Sequence, residues 1–292
     1  MADASTVLRG RTALVTGSSR GIGRAIAQRL AAAGATVVVT ARSLASAGDA
    51  QGTLAETVAL IEAAGGRAIA LAADLEDPQQ RDSLVARAAE LAGGLDILVN
   101  NAGYADYARV EEMPRQMFER TFEHYLRAPF VLAQAAIPLM KARGAGWIVN
   151  IGSVTAQPLS KPYDWFARNG GVTVYAAVKA ALNRFTEGLA AELLDSNIAV
   201  NMVGPSTAIR TPGASRYIPE DYPTEDVAYL AETVLAMCHL PAAQRTGLLA
   251  HSMHFPAALQ LPVFSLNGRR RLADAQIPPH SHPAIKANGD SM

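Results

Sequence analysis

Only one cysteine, Cys238, occurs among the 292 residues. A single thiol builds neither an internal disulfide framework nor a cysteine-based zinc site, which fits a reducing compartment. Charge of one sign is also lacking: 26 Lys and Arg balance 26 Asp and Glu. No net field concentrates nucleic acid or an anionic membrane surface. No apolar run reaches the ~18–20 residues of a membrane span, and the opening MADASTVLRGRT has no apolar signal core. The expectation is a cytoplasmic protein without nucleic-acid or membrane partners. Histidine is scarce and scattered. Only His280 and His282 lie close, in a proline-rich stretch without clustered carboxylates, so no metal site is expected.

What remains is half hydrophobic and rhythmic. Short β-branched runs at 13–16, 36–40, 67–71, 95–100, 147–152, 198–203 and 246–252 alternate with Ala/Leu-rich segments. Those segments, near 22–33, 53–64, 79–92, 114–142, 174–195 and 224–239, have helical period. Several strands are apolar on both faces, as burial between two helical layers demands. The pattern predicts an α/β fold, a doubly wound seven-stranded parallel sheet with helices on both faces. One domain is expected over 1–255. Within it, residues 154–173 mix Pro, Gly, charge and three aromatics, a composition for a long loop or lid. Residues 256–292 lack periodicity and read as an irregular C-terminal extension outside the fold, disordered or draped over a neighbour.

The first strand runs into Thr16-Gly17-Ser18-Ser19-Arg20-Gly21-Ile22-Gly23, and a helical segment follows at once. In that context glycines let the backbone approach a pyrophosphate, and the helix N-terminus presents unpaired N–H groups to it. This context predicts the phosphate loop of a Rossmann-type dinucleotide fold, the plain alternative being a glycine-rich turn. The same residues spell G-x-S-x-G, a nucleophile elbow with Ser19 as nucleophile, and His251 or His254 with Asp221 or Asp226 would complete a hydrolase triad. Against that reading, the motif follows the first strand rather than a central one, and Gly23 is left without a purpose.

The second strand ends Thr40-Ala41-Arg42-Ser43. A carboxylate at this corner would accept the adenosine ribose 2′-hydroxyl and repel a 2′-phosphate; none is present. Arg42 and Arg20 instead bracket the position where a phosphate would lie, which favours NADP(H) over NAD(H).

Tyr175 and Lys179, four apart on a helical segment, share one face. An ammonium beside a phenol is expected to lower its pKa from ~10 and make Tyr175 a proton donor. Ser153 follows the fifth strand, where ligands bind in open α/β sheets, and its hydroxyl can polarise a carbonyl. Together with Asp74 after the third strand and Asn100-Asn101-Ala102-Gly103 after the fourth, these motifs resemble the short-chain dehydrogenase/reductase family over roughly 10–255. The resemblance implies that Gly17, Ser19, Arg20, Gly21, Ile22, Gly23, Arg42, Asp74, Leu75, Asn101, Ala102, Gly103, Pro205 and Thr207 bind the dinucleotide. It implies that Asp74 contacts the adenine and that residues 201–211 pass the nicotinamide. It further implies that Ser153, Tyr175 and Lys179 are catalytic, Lys179 also holding the nicotinamide ribose.

The sequence departs from the family in several places. Tyr125 stands where the family has an asparagine that anchors a relay water, so the proton path is expected to change. Pro205-Ser206 replaces Pro-Gly, and AHSMHF replaces the Asp-Gly-Gly after the last strand. The expected function is an NADP(H)-dependent oxidoreductase interconverting a small-molecule carbonyl and an alcohol, with Tyr175 as acid/base. The alternative is an NADP(H)-binding sensor or scaffold with weakened chemistry. Tyr163, Trp165 and Phe166, with Tyr104, Tyr107 and Tyr217, suggest an apolar or ring-bearing substrate. Long apolar helices at 114–142 and 174–195 suggest a homodimer or homotetramer. His124, Met113, Met117, Met140 and Cys238 read as packing residues.

Overall fold

A computed structural model describes residues 6–44, 52–104 and 106–290. Seven strands, β1 (Thr12–Thr16), β2 (Thr36–Ala41), β3 (Arg67–Ala72), β4 (Ile97–Asn100), β5 (Gly146–Ile151), β6 (Ile198–Gly204) and β7 (Leu249–His251), form one sheet. Its order is β3-β2-β1-β4-β5-β6-β7. Every pairing is parallel. The winding direction reverses between β1 and β4, and a sheet of this kind opens a crevice there at its carboxyl edge.

The double apolar face of the strands explains the layers. Val15, Val37, Val39, Ile97, Val99 and Val149 pack with α1 (Gly21–Ala32), α2 (Leu54–Ala63) and α8 (Val227–Ala236). The alternate residues Leu14, Val38, Leu98, Ile148 and Val200 pack with α3 (Pro78–Ala92), α5 (Ala128–Arg143) and α7 (Thr173–Leu193). Period two along each strand thus fills two cores at once. Cys238 and Met140 are buried in them.

Several boundaries differ from the sequence reading, and the eighth helix in particular is shorter than 224–239 at both ends. The fourth strand starts at Ile97, and the Asp96 carboxylate just before it accepts the Thr12 amide at 2.7 Å and pairs with Arg143. The seventh shortens to three residues. The single helix expected at 114–142 divides into α4 (Arg115–Phe122), a π-helical turn Glu123–Arg127, and α5. Pro129 has no N–H to return to the Tyr125 carbonyl, so the helical ladder widens just before it.

The loop at 154–173 holds a 3-10 turn, Val154–Ala156, and the short helix α6 (Trp165–Asn169), started by the Asp164 side chain on the Ala167 amide. Beyond residue 256 the chain is mostly irregular, with α9 (His254–Leu259) at its start, but it lies on the body rather than outside the fold. Val263 and Ile285 are buried. The Leu249 amide donates to Gly289 at 2.8 Å. The Phe264 amide donates to Glu232 at 3.1 Å, and Glu232 pairs with the buried Arg29 at 2.7 Å. Isolated apolar residues and backbone bonds anchor this segment, which leaves no periodic signal to read.

Candidate active site

Above the carboxyl edge of the sheet lies a cleft of about 830 Å³. The seventeen residues expected from sequence all line it: Gly17, Ser19, Arg20, Gly21, Ile22, Gly23, Arg42, Asp74, Leu75, Asn101, Ala102, Gly103, Ser153, Tyr175, Lys179, Pro205 and Thr207. Two other expectations fail, and the hydrolase alternative that the sequence already disfavours finds no support. Tyr163 does not line the cleft, its ring instead lying near the Lys161 ammonium. Asn201 is buried within β6, where its side-chain amide donates to the Arg245 carbonyl at 3.2 Å and accepts the Leu248 amide at 3.0 Å. Among the described residues Ser19 has no histidine partner, His254 being bonded to Ser206 and Ser281 and Asp226 capping α8. The hydrolase triad therefore does not assemble.

The glycine loop is tied down from behind. The Thr16 hydroxyl accepts the Asn101 and Ala102 amides at 2.9 and 3.0 Å, and the Asn101 side chain donates to Thr16 and Gly17 carbonyls at 2.8 and 3.2 Å. A Cβ at Gly23 would lie 2.3 Å from the Gly17 carbonyl oxygen, so only glycine lets the helix start this close to the turn. Asn101 thus braces the loop. The N-terminus of α1 has no side-chain cap and no acidic residue in its first turn, which leaves its N–H groups for an anion. Arg20 and Arg42 are exposed at the same end, without an acidic partner among the described residues. The donor set has the chemistry to take an anionic phosphate group, and Asp74 and Leu75 line the cleft as well.

At the opposite end stand Ser153, Tyr175 and Lys179. Ser153 caps the 3-10 turn, accepting the Thr155 amide at 3.2 Å and sharing a bond with the Thr155 hydroxyl at 2.9 Å. Lys179 is buried, and its Nζ donates to the Ile151 carbonyl at 2.6 Å. Burial lowers the Lys179 pKa to about 7. Burial raises that of Tyr175 to about 12, against the hydrogen bond from Ser153. The lowering expected for Tyr175 is therefore reversed: desolvation outweighs the Ser153 hydrogen bond, and the Lys179 nitrogen stays 5.7 Å from the ring centre.

A buried polar chain fixes these groups to the sheet. Asn100 donates to Asn150, and Asn150 to Thr186 of α7, each at 2.9 Å. Polar residues at interior strand positions were the signal available for this chain. Tyr125 adds what its departure from the family did not reveal. Its ring stands edge-on to Tyr175, with centroids 5.2 Å apart, and faces the Lys179 ammonium. It also fills the space a side chain at Gly103 would need: a Cβ there would lie 2.4 Å from the Tyr125 ring. Tyr107 and Tyr217 continue the aromatic wall. Trp165, Phe166 and Tyr222 also line the cleft.

Residues 11–220 match the family model described as short chain dehydrogenase. This chain belongs to the short-chain dehydrogenase/reductase family. It is an oxidoreductase of that family by this match and by its relatives. An uncharacterised oxidoreductase of Methylorubrum extorquens is 38% identical over 202 residues, 69% of this chain and 75% of the relative. The hydroxysteroid dehydrogenase-like protein 2 of mouse is 35% identical over 70% of this chain, but the match spans only 40% of that longer protein. Among solved structures, a 3-oxoacyl (acyl-carrier-protein) reductase of Agrobacterium tumefaciens with NADP bound is 30% identical. It covers 82% of this chain and 92% of its own, with a TM-score of 0.69. In this family member no described helix is long and apolar enough to cross a membrane.

Proposed function

We propose that this protein is an NADP(H)-dependent reductase that converts an apolar or ring-bearing ketone or aldehyde to an alcohol, and the reverse. The observation that carries the reading is the convergence of Ser153, Tyr175 and Lys179 on one end of a cleft whose other end holds a helix N-terminus without a side-chain cap and two arginines that have no acidic partner among the described residues. Arg20 and Arg42 supply the preference for a 2′-phosphate.

The nicotinamide, when bound, supplies the hydride. Ser153 donates a hydrogen bond to the substrate oxygen and places it against the Tyr175 hydroxyl. Tyr175 gives its proton to that oxygen as it gains charge. Lys179, as the ammonium, favours the phenolate left behind. Tyr107, Tyr217, Trp165 and Phe166 bury the apolar part of the substrate. The exposed rings of Phe118, Phe122 and Phe130 along α4 and α5 support a homodimer or homotetramer, which light scattering of the purified protein measures.

The test is a fluorescence titration with NADPH and NADH, with oxidation of each on a panel of ring-bearing ketones. Tight NADPH binding with turnover is expected. Preference for small charged ketones would defeat the substrate assignment. NADPH binding without turnover on any carbonyl would favour the second reading, a sensor, whose particular support is Tyr125.

A further inference from the structure

The residues that replace two family signatures, Ser206 and the AHSMHF run, meet in one buried polar cluster beneath the loop from Pro205 to Thr211. The Ser206 amide donates to Glu225 at 3.3 Å and to the Ser252 hydroxyl at 2.9 Å, and Ser252 in turn donates to the same carboxylate oxygen. The Thr207 amide also favours the carboxylate. The Ser206 hydroxyl accepts the Met253 amide at 2.9 Å and bonds His254 at 2.8 Å, and His254 reaches Ser281 of the C-terminal extension at 3.3 Å. The Glu225 backbone adds a bond, its amide donating to Ala208 at 2.9 Å.

The loop held in this way spans the length of the cleft. Gly204 at its start packs beside the Ser153 amide, and Thr211 at its end packs against Gly21 of the phosphate loop. Pro205, Thr207, Ala208, Ile209 and Thr211 line the cleft between. A glycine at 206 would lack the hydroxyl that joins the loop to Met253 and His254. Removing Glu225 would leave the Ser206 amide with the Ser252 hydroxyl alone and would strand the Thr207 amide and the Ser252 O–H, each with a cost in the order of its desolvation.

We infer that Glu225, through Ser252 and Ser206, is a positioning residue that holds the 205–211 loop in its dinucleotide-binding shape. The inference rests on the proposed cofactor reading for its consequence, but the loop itself is measurable without cofactor.

The test compares wild type, Glu225→Leu and Glu225→Gln by hydrogen exchange of the cofactor-free protein and by NADPH titration. Glu225→Leu, which removes every accepting oxygen, is expected to speed exchange in residues 204–211 at least tenfold and to raise the NADPH Kd at least tenfold. β5 and α7 should be unchanged. Glu225→Gln keeps an accepting oxygen and is expected to restore both. Unchanged exchange at 204–211 in Glu225→Leu would overturn the inference, and so would acceleration spread evenly over the sheet. Should Glu225→Leu not fold, Ser252→Ala carries the same comparison, with about threefold effects expected and none overturning. If wild type does not bind NADPH, the cofactor reading fails while the exchange result still decides the role of Glu225 in the loop.

Discussion

The Lys179 ammonium lies 4.1 Å from the centre of the Tyr125 ring, and that ring stands edge-on to Tyr175. A desolvated cation over an aromatic face gains about 2 kcal/mol, so here a ring supports the lysine from the side where the family resemblance places an asparagine and its water. Tyr125→Phe, which keeps the face, is expected to retain turnover within about twofold. Tyr125→Ala is expected to lower it more than about tenfold, the rate equivalent of that energy. Tyr125→Asn is expected to fall with the alanine variant. A large gain in its kcat would instead identify the tyrosine as a lesion and favour the sensor.

Tyr175→Phe leaves the aromatic wall intact and removes only the hydroxyl that Ser153 bonds. General acid catalysis contributes roughly 10²–10⁴-fold, so kcat for ketone reduction is expected to fall by that factor while the NADPH Kd moves little. Steady-state rates with a parallel titration separate the two. Equal loss of binding and rate would remove Tyr175 from its catalytic role.

Strands β1, β2 and β5 were legible because burial on both faces forces unbroken apolar runs, and the glycine loop was legible because its backbone tolerates few other residues. Tyr125 was marked only as a departure. Its use depends on a π-helical turn that Pro129 imposes and on the space left at Gly103, neither of which has a periodic signature. Glu225 has no such signature either. Its partners Ser206 and Ser252 are 19 and 27 residues away, and a short-range pattern does not pair them. The C-terminal extension has a composition without periodicity, and scattered residues such as Val263 and Ile285 suffice to anchor it.

Arg42 lies exposed at the end of β2, at the cleft and without an ion-pair partner among the described residues. Its charge acts across solvent and is screened over about 10 Å at 0.1 M salt. Arg42→Ala is expected to raise the NADPH Kd about tenfold at low salt, with a smaller ratio at 0.5 M, and to leave the NADH Kd within twofold. Arg42→Asp is expected to reverse the preference, since a carboxylate there repels a 2′-phosphate and accepts a ribose hydroxyl. Parallel losses for both nucleotides would place Arg42 outside the selectivity.

Lys179 carries the clearest dependence on pH, because burial holds its pKa at about 7 in the folded chain against an ordinary 10.5. Between those two values the unfolded chain binds a proton that the folded chain does not, so this group makes stability rise with pH from about 7 to 10.5. Below about 7 both states are protonated, and the cost of the buried ammonium is present in full. Lys179→Met removes that cost. Its stability relative to wild type is expected to be greatest below pH 7 and to shrink above it, by on the order of 1 kcal/mol per pH unit. Denaturant titrations of both proteins at pH 6, 7.5 and 9 measure this difference, and parallel curves would contradict it. In turnover the sign is opposite, since the reductive step proposed above uses the ammonium. The kcat for ketone reduction in wild type is accordingly expected to fall as pH rises through about 7, unless bound nucleotide shifts the lysine upward. In that case the break moves to higher pH in kcat but stays near 7 in the pH dependence of free-enzyme binding.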